Sequence, residues 1–351
     1  MAANEAKLQA FLARALYDLG AAQSAVLVAL GDSLGLYKAM AGAGPLTAAQ
    51  LAARTGTSEV YLREWLANQA CGGYVEYDAA SGTFTLPEEQ AMALARDDGP
   101  AAMAAVFQAA AGLAGARDAL AHAFRSGRGV PREAYPADLA VATGRVARAR
   151  YTEPLLRRWL DAMPGMTARL EAGASAADVG CGEGALVLAL ARTFPRSRFA
   201  GYDAHVPSIE AARRRAREEG LGARAVFEVA AAADLPGTGY DLVTCFESLH
   251  EMADPVGVAR RVRAALAADG AWLIVEPFAA GRLEGDLGPW GRLVSSTAVL
   301  HCLPVSLADG GGALGPRAGS AAVADAVRAA GFRTVRALPD EPYRILIEAR
   351  P

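Results

Sequence analysis

Two groups of residues in this sequence have the types and spacing to do chemistry. The first is "DVGCGEG", residues 178–184, which sets Gly180, Gly182 and Gly184 on alternate positions behind Asp178. Main chain without side chains can pass close to a ligand and adopt positive φ. Asp203 stands 21 residues past Gly182, where a carboxylate can accept both hydroxyls of a ribose. The second group is "FESLHEM" (246–252), with His250 and Glu251, and "LHCLP" (300–304), with His301. Histidine titrates near neutral pH, so either imidazole could move a proton or ligate a metal.

The elements that must hold these groups alternate. "AADVG", "RFAGYD", "AVFEVA", "YDLVTCF" and "AWLIVEPF" read as strands, with helices predicted over 185–194, 208–219 and 255–267 between them. Apolar runs this short suit a parallel sheet covered on both faces. After a helix at "AAVADAVRAAG", "FRTVRAL" meets "YRILIEAR" across "PDEP", a hairpin that finishes the sheet antiparallel. The reading is a doubly wound, Rossmann-like α/β fold with seven mostly parallel strands and an antiparallel last strand. In such a sheet ligands lie beyond the carboxyl ends of the strands. The glycine turn, Asp203, Phe246 and the loop carrying His250 all fall at that rim, as do Glu247 and Glu276, which could steady His250 or simply pair with an arginine.

The N-terminal part is different. In "LTAAQLAARTGTSEVYLREWLANQACGGYVEYDAASGTFTLPEE", Thr47 can cap a short helix, Gly56 breaks it and Ser58 can cap a second, while "YVEYD" and "TFTLP" alternate around "AASG". That is a winged helix. Residues 1–90 carry five basic side chains against nine acidic ones, and phosphate contacts dominate DNA affinity, so subunit pairing is expected rather than nucleic-acid binding. The apolar stretch 25–40 could supply a dimer surface, although a core helix would look the same. Residues 96–172 are mostly helical, broken at "RSGRGVPREAYPADL". The expected domains are a winged-helix dimerisation domain over 1–95, a helical linker or substrate-capping region over 96–172 and a cofactor-binding domain over 173–351.

Composition narrows the classes. The net charge of −3 provides no global field for polyanions or anionic membranes. Cys71, Cys181, Cys245 and Cys302 form no C-x-x-C pair, which points to reduced thiols and a cytoplasmic location. The amphipathic N-terminal helix carries Glu5 before any apolar block and does not read as a signal peptide, and the long uncharged run 99–116 contains Gln108 and suits a packed helix better than a membrane span.

Spacing alone leaves the nucleoside open, because residues 180–185 also read as G-x-G-x-x-A, the dinucleotide fingerprint. The combination of Asp178, the additional Gly184, "AADLP" after the third strand and the antiparallel ending resembles the class I S-adenosylmethionine-dependent methyltransferases. The likeness is to the small-molecule, O-methyltransferase-like enzymes of secondary metabolism whose winged helix serves dimerisation. The resemblance implies that Asp178, Gly180, Cys181 and Gly182 line the methionine end of S-adenosyl-L-methionine. It implies Asp203 and Ala204 at the ribose, Asp234 and Leu235 at the adenine and Phe246 as the floor. His250, followed by Glu251 and with methionine where relatives carry tryptophan, would be the general base for a small, aromatic or apolar methyl acceptor. His301 lies in the segment that commonly covers the acceptor in this fold, and Tyr151, Trp159 and Trp290 could help build its pocket.

Two other readings fit parts of the pattern. Some relatives acting on 2-oxo acids hold iron between two histidines, so His250 and His301, with Glu251, could ligate a metal for C-methylation; a metal-free site with His250 as base is preferred. A DNA-binding regulator with a ligand-sensing α/β domain is the other alternative, disfavoured by the acidic winged helix.

Overall fold

The computed structural model describes residues 3–312, 314–339 and 341–351. The chain divides into two compact units: one holds the residues up to Gly115 together with Ala137–Arg150, the other Ala116–Pro136 and Tyr151–Pro351. The helical stretch 96–172 is therefore shared between them.

In the first unit a long helix, Glu5–Ser33, precedes the winged helix proper. Thr47 caps Ala48–Thr55 in a full capping box with Gln50, and Gly56 ends that helix in the left-handed region. Ser58 sits at the cap of Glu59–Cys71 without a capping bond from its side chain. Strands β1 (Glu76–Asp78) and β2 (Thr83–Thr85) form the wing. Arg63, the basic residue of the second helix, is held by Glu59 at 2.6 Å. Of the apolar stretch 25–40, Val28, Leu36, Tyr37 and Met40 are core. Val26, Leu30 and Leu34 of the same stretch are exposed, and they continue the exposed apolar residues Leu8, Phe11, Leu12, Leu16, Tyr17 and Leu19 upstream. A bidentate Arg145 to Asp32 pair joins Ala137–Arg150 to the long helix.

The second unit is built on β3 (Ser175–Val179), β4 (Arg198–Asp203), β5 (Ala225–Val229), β6 (Tyr240–Phe246), β7 (Leu266–Pro277), β8 (Thr334–Ala337) and β9 (Arg344–Arg350). The sheet order is β5-β4-β3-β6-β7-β9-β8. All neighbours are parallel except β9, which runs against both β7 and β8. The reversed strand is thus inserted one place in from the edge, because the β8–β9 hairpin folds its second strand back alongside β7.

Alternation along the strands feeds two cores. Ala271, Leu273 and Val275 face one, with Leu156, Leu160 and Leu188; Trp272 and Ile274 face the other, with Val258, Val262 and Val327. Each fully buried Leu, Ile or Val side chain contributes about 1.5–3 kcal/mol. The parallel strands β3 to β7 all end on one rim of the sheet.

Candidate active site

The turn after β3 holds Gly180, Gly182 and Gly184 at φ of 74°, 52° and 77°. Their surroundings differ. A Cβ on Gly184 would lie 2.5 Å from the Phe227 ring and one on Gly180 would lie 2.6 Å from Ser248 Oγ, whereas one on Gly182 would meet nothing within 4 Å. The outer two glycines permit close packing, and Gly182 faces an open cradle in which a ligand can approach main chain. The turn is pinned by the Gly180 and Cys181 amides, which donate to the Tyr202 carbonyl at 2.8 and 3.1 Å.

Asp203, at the end of β4, accepts from the Gly182 amide at 2.9 Å through Oδ2 and from the His205 amide at 2.8 Å through Oδ1. Each oxygen keeps a second lone pair for a ligand. Ala204 beside it is exposed. His205 bonds Ser208 Oγ at 2.8 Å and begins the next helix, a local structural role. Asp178 is buried and accepts from Thr244 Oγ1 at 2.7 Å. Burial, with a smaller push from Asp203, outweighs that bond and raises its pKa to about 7. Cys181 is buried, which pushes its thiol well up. Asp234 ends a short 3-10 turn in solvent, and Leu235 is core. Phe246 is packed edge-on by Tyr151 and Trp159, both at 5.5 Å between centroids. Trp159 is itself fully buried, so it supports Phe246 from within the core. Trp290 stacks on Tyr343 at 4.6 Å and donates to the Phe278 carbonyl.

The second group stands after β6. Glu247 turns the chain there at φ 52°, unusual for a residue other than glycine, and faces Arg344 at 3.5 Å. The 3-10 turn Leu249–Glu251 follows. Glu276 of β7 reaches across from the neighbouring strand: Oε1 accepts from the Leu249 amide at 2.9 Å, and Oε2 is bonded to His250 Nδ1. One buried carboxylate therefore fixes both the loop and the ring, leaving Nε2 as the imidazole's working atom. Burial alone would lower the His250 pKa, but Glu276, the Cys302 thiol and Glu251 outweigh it and hold it well above the ordinary value.

Nε2 of His250 lies 3.7 Å from Glu251 Oε1, and His301 Nδ1 lies 3.4 Å from the same oxygen. Arg132 donates to Glu251 Oε2 at 2.8 Å. Burial would raise the Glu251 pKa, yet the bond to His301 and the charges of His250 and Arg132 hold it far below the carboxylate range. His301 and Cys302 project from a π-helical turn, Ala298–Cys302, a widened turn that often marks functional sites. The segment bearing Arg132 is docked on that turn: Tyr135 donates to the Leu300 carbonyl at 2.7 Å, and the Val130 amide donates to the Pro304 carbonyl at 2.9 Å. A Cβ on Gly129 would come within 1.9 Å of the Ala308 nitrogen, so only glycine allows the approach.

Comparison with known proteins identifies the family. The model of an Rv2258c-like winged HTH domain matches residues 22–96, and that of a methyltransferase domain matches residues 170–314. Nocamycin O-methyltransferase of Saccharothrix syringae is 33% identical over 204 residues, covering 54% of this chain and 69% of that one. The chain is a class I S-adenosylmethionine-dependent methyltransferase. A ubiquinone biosynthesis O-methyltransferase of Bordetella parapertussis is 36% identical over 122 residues, 34% of this chain and 47% of its own length. The fold matches human N-acetylserotonin methyltransferase, solved in complex with S-adenosylmethionine, with a TM-score of 0.73 at 18% identity, covering 99% of this chain and 98% of that one.

The methyltransferase's glycine turn fits its cofactor on structural grounds: an open cradle at Gly182 beside a carboxylate with free lone pairs. Its histidine cluster contains three residues that sequence reasoning missed as site residues, namely Arg132, Tyr135 and Cys302. Arg132 and Tyr135 lie 115 or more residues before His250 in a stretch legible only as a break between helices. Cys302 had a visible signal, its place beside His301. Of the two strand-end carboxylates, Glu276 steadies His250, and Glu247 pairs with an arginine.

Proposed function

We propose that this methyltransferase methylates a hydroxyl group of a small aromatic or apolar metabolite, with His250 as general base. The observation that carries the reading is the grip of Glu276 on His250 Nδ1 at the cofactor end of the sheet. An imidazole anchored at one nitrogen presents the other as a directed proton acceptor, and its buried carboxylate stabilises the imidazolium that forms. Glu251 and His301 line the acceptor side of Nε2. Exposed apolar side chains on the covering helices, Leu293, Val299 and Leu303, suit an apolar acceptor.

S-adenosyl-L-methionine, when bound, supplies an electrophilic methyl on a cationic sulfur with a neutral thioether as leaving group. Asp178, Gly180, Cys181 and Gly182 would hold its methionine end, Asp203 and Ala204 its ribose, and Asp234 and Leu235 its adenine, with Phe246 beneath. The protein's remaining tasks are to align the acceptor oxygen and to take its proton at His250 Nε2.

The test is His250→Ala. Turnover should fall by about 10²–10⁴-fold, while S-adenosylhomocysteine binds as tightly as to the wild type by calorimetry. Undiminished turnover would remove His250 from the mechanism. The same proposal makes the enzyme a homodimer through its N-terminal unit, whose long helix exposes Leu16 and Tyr17 to solvent over more than two thirds of their surface (71% and 74%). Leu16→Glu should sediment as a monomer; a monomeric wild type at micromolar concentration would dismiss the pairing.

A further inference from the structure

The acid–base reading leaves one buried donor beside His250 without a task. Cys302 Sγ, an imidazole nitrogen of His250 and a Glu251 carboxylate oxygen form a sulfur, nitrogen and oxygen set whose atoms lie within 4.8 Å of one another, and Glu276 already holds Nδ1, so Nε2 is the nitrogen left to ligate. We propose that these three side chains bind a thiophilic divalent cation, zinc above all, and that its occupancy silences methyl transfer. The silencing rests on the reading of His250 as base: a metal on Nε2 takes the lone pair that must accept the acceptor's proton.

The surrounding bonds favour ligation. Glu276 occupies Nδ1 of His250, which gives the carboxylate–histidine–metal arrangement that fixes a ligating ring in other metal sites. Arg132 occupies Oε2 of Glu251, while Oε1, 3.7 Å from His250 Nε2 and 3.4 Å from His301 Nδ1, keeps a lone pair with which to ligate. Metal–ligand bonds of about 2.0–2.3 Å in a tetrahedron put donor atoms roughly 3.3–3.8 Å apart, so the set needs at most about 1.5 Å of closure. The π-helical turn delivers Cys302 to the cluster. A thiolate among the donors selects zinc over magnesium or calcium, and the thiol proton leaves to solvent on binding. Three protein donors leave the fourth tetrahedral position to water.

Cobalt(II) serves as the spectroscopic probe. Chelator-treated wild-type enzyme given one equivalent of cobalt should show a thiolate-to-cobalt absorption in the near ultraviolet together with tetrahedral visible bands. Cys302→Ser should lose the near-ultraviolet absorption, and Glu251→Gln should bind cobalt at least tenfold more weakly. Circular dichroism establishes that each variant is folded. In turnover assays zinc should suppress the wild type at least tenfold, and Cys302→Ser should require at least tenfold more zinc for the same fractional loss relative to its own metal-free rate.

No absorption at one equivalent, an absorption that persists in Cys302→Ser, or a zinc-loaded wild type turning over at its metal-free rate would each overturn the proposal. Full activity of His250→Ala under chelator would instead strike the base reading, and the cobalt spectra would still report on the metal site.

Discussion

The glycine turn and the histidine cluster stand at the carboxyl ends of strands of the same sheet, yet they are held by different means. In the turn the surface offered to a ligand is main chain, shaped by residues 178–184 and tied to Asp203 through the Gly182 amide. In the cluster the surface is side chain, gathered from residues 132, 250–251, 276 and 301–302. A site made of main chain is local and tolerates few residue types. A site made of side chains depends on how distant segments dock, and each member can be exchanged separately. The half built on the turn is therefore expected to be constant in construction, and the half built on the cluster to be adjustable.

Four measurements would break or sharpen that contrast. The largest effect is on stability. In the ligand-free protein Asp178 keeps its proton until about pH 7, against an ordinary value of 3.8. The native state therefore binds more protons than the unfolded chain between these values, and stability falls as pH rises from about 4 to 7, by on the order of 4 kcal/mol. Urea melts at pH 5 and 8 should show this loss, and Asp178→Asn should flatten it; an unchanged slope would dismiss Asp178 as its source.

Glu276→Gln keeps the shape of the cluster but removes the charge behind His250, so turnover should fall on the order of a hundredfold with S-adenosylhomocysteine affinity unchanged. If affinity fell in step with turnover, Glu276 would belong to the fold rather than to the chemistry. Gly184→Ala would drive a methyl into Phe227 and should cost about 1–3 kcal/mol of stability. Gly182→Ala meets open space, so it should cost less stability and lose cofactor affinity instead. The opposite pattern would exchange the roles assigned to the two glycines. Smallest is Asp203→Asn, which weakens the acceptor for two amides and should reduce S-adenosylhomocysteine binding about tenfold; undiminished binding would remove Asp203 from the cofactor site.

The same contrast explains what could be read in advance. Strands and helices of the second unit follow from short apolar runs and period-3.6 patterns, and "RFAGYD" and "YDLVTCF" coincide with β4 and β6. The glycine turn was legible because φ and spacing are properties of a few consecutive residues. The insertion of β9 between β7 and β8 was not, since a hairpin's pattern does not say which arm joins the sheet. Arg132 and Tyr135 were invisible for a related reason: their role depends on Gly129 admitting a docked segment, a contact between positions far apart in the chain. Glu276 lay between these cases, placed correctly at the rim by its strand and given a partner only by the fold.

The π turn at Ala298–Cys302 carries one residue more per hydrogen-bonded loop than an α-helix does. Deleting one residue there would relax it to ordinary helix while the flanking helical segments keep their facing, so the change falls on the side chains of the turn itself. Neither neighbouring helix would need to be lost. A one-residue deletion is thus expected to change what His301 and Cys302 bring to the histidine cluster without dismantling the helices on either side.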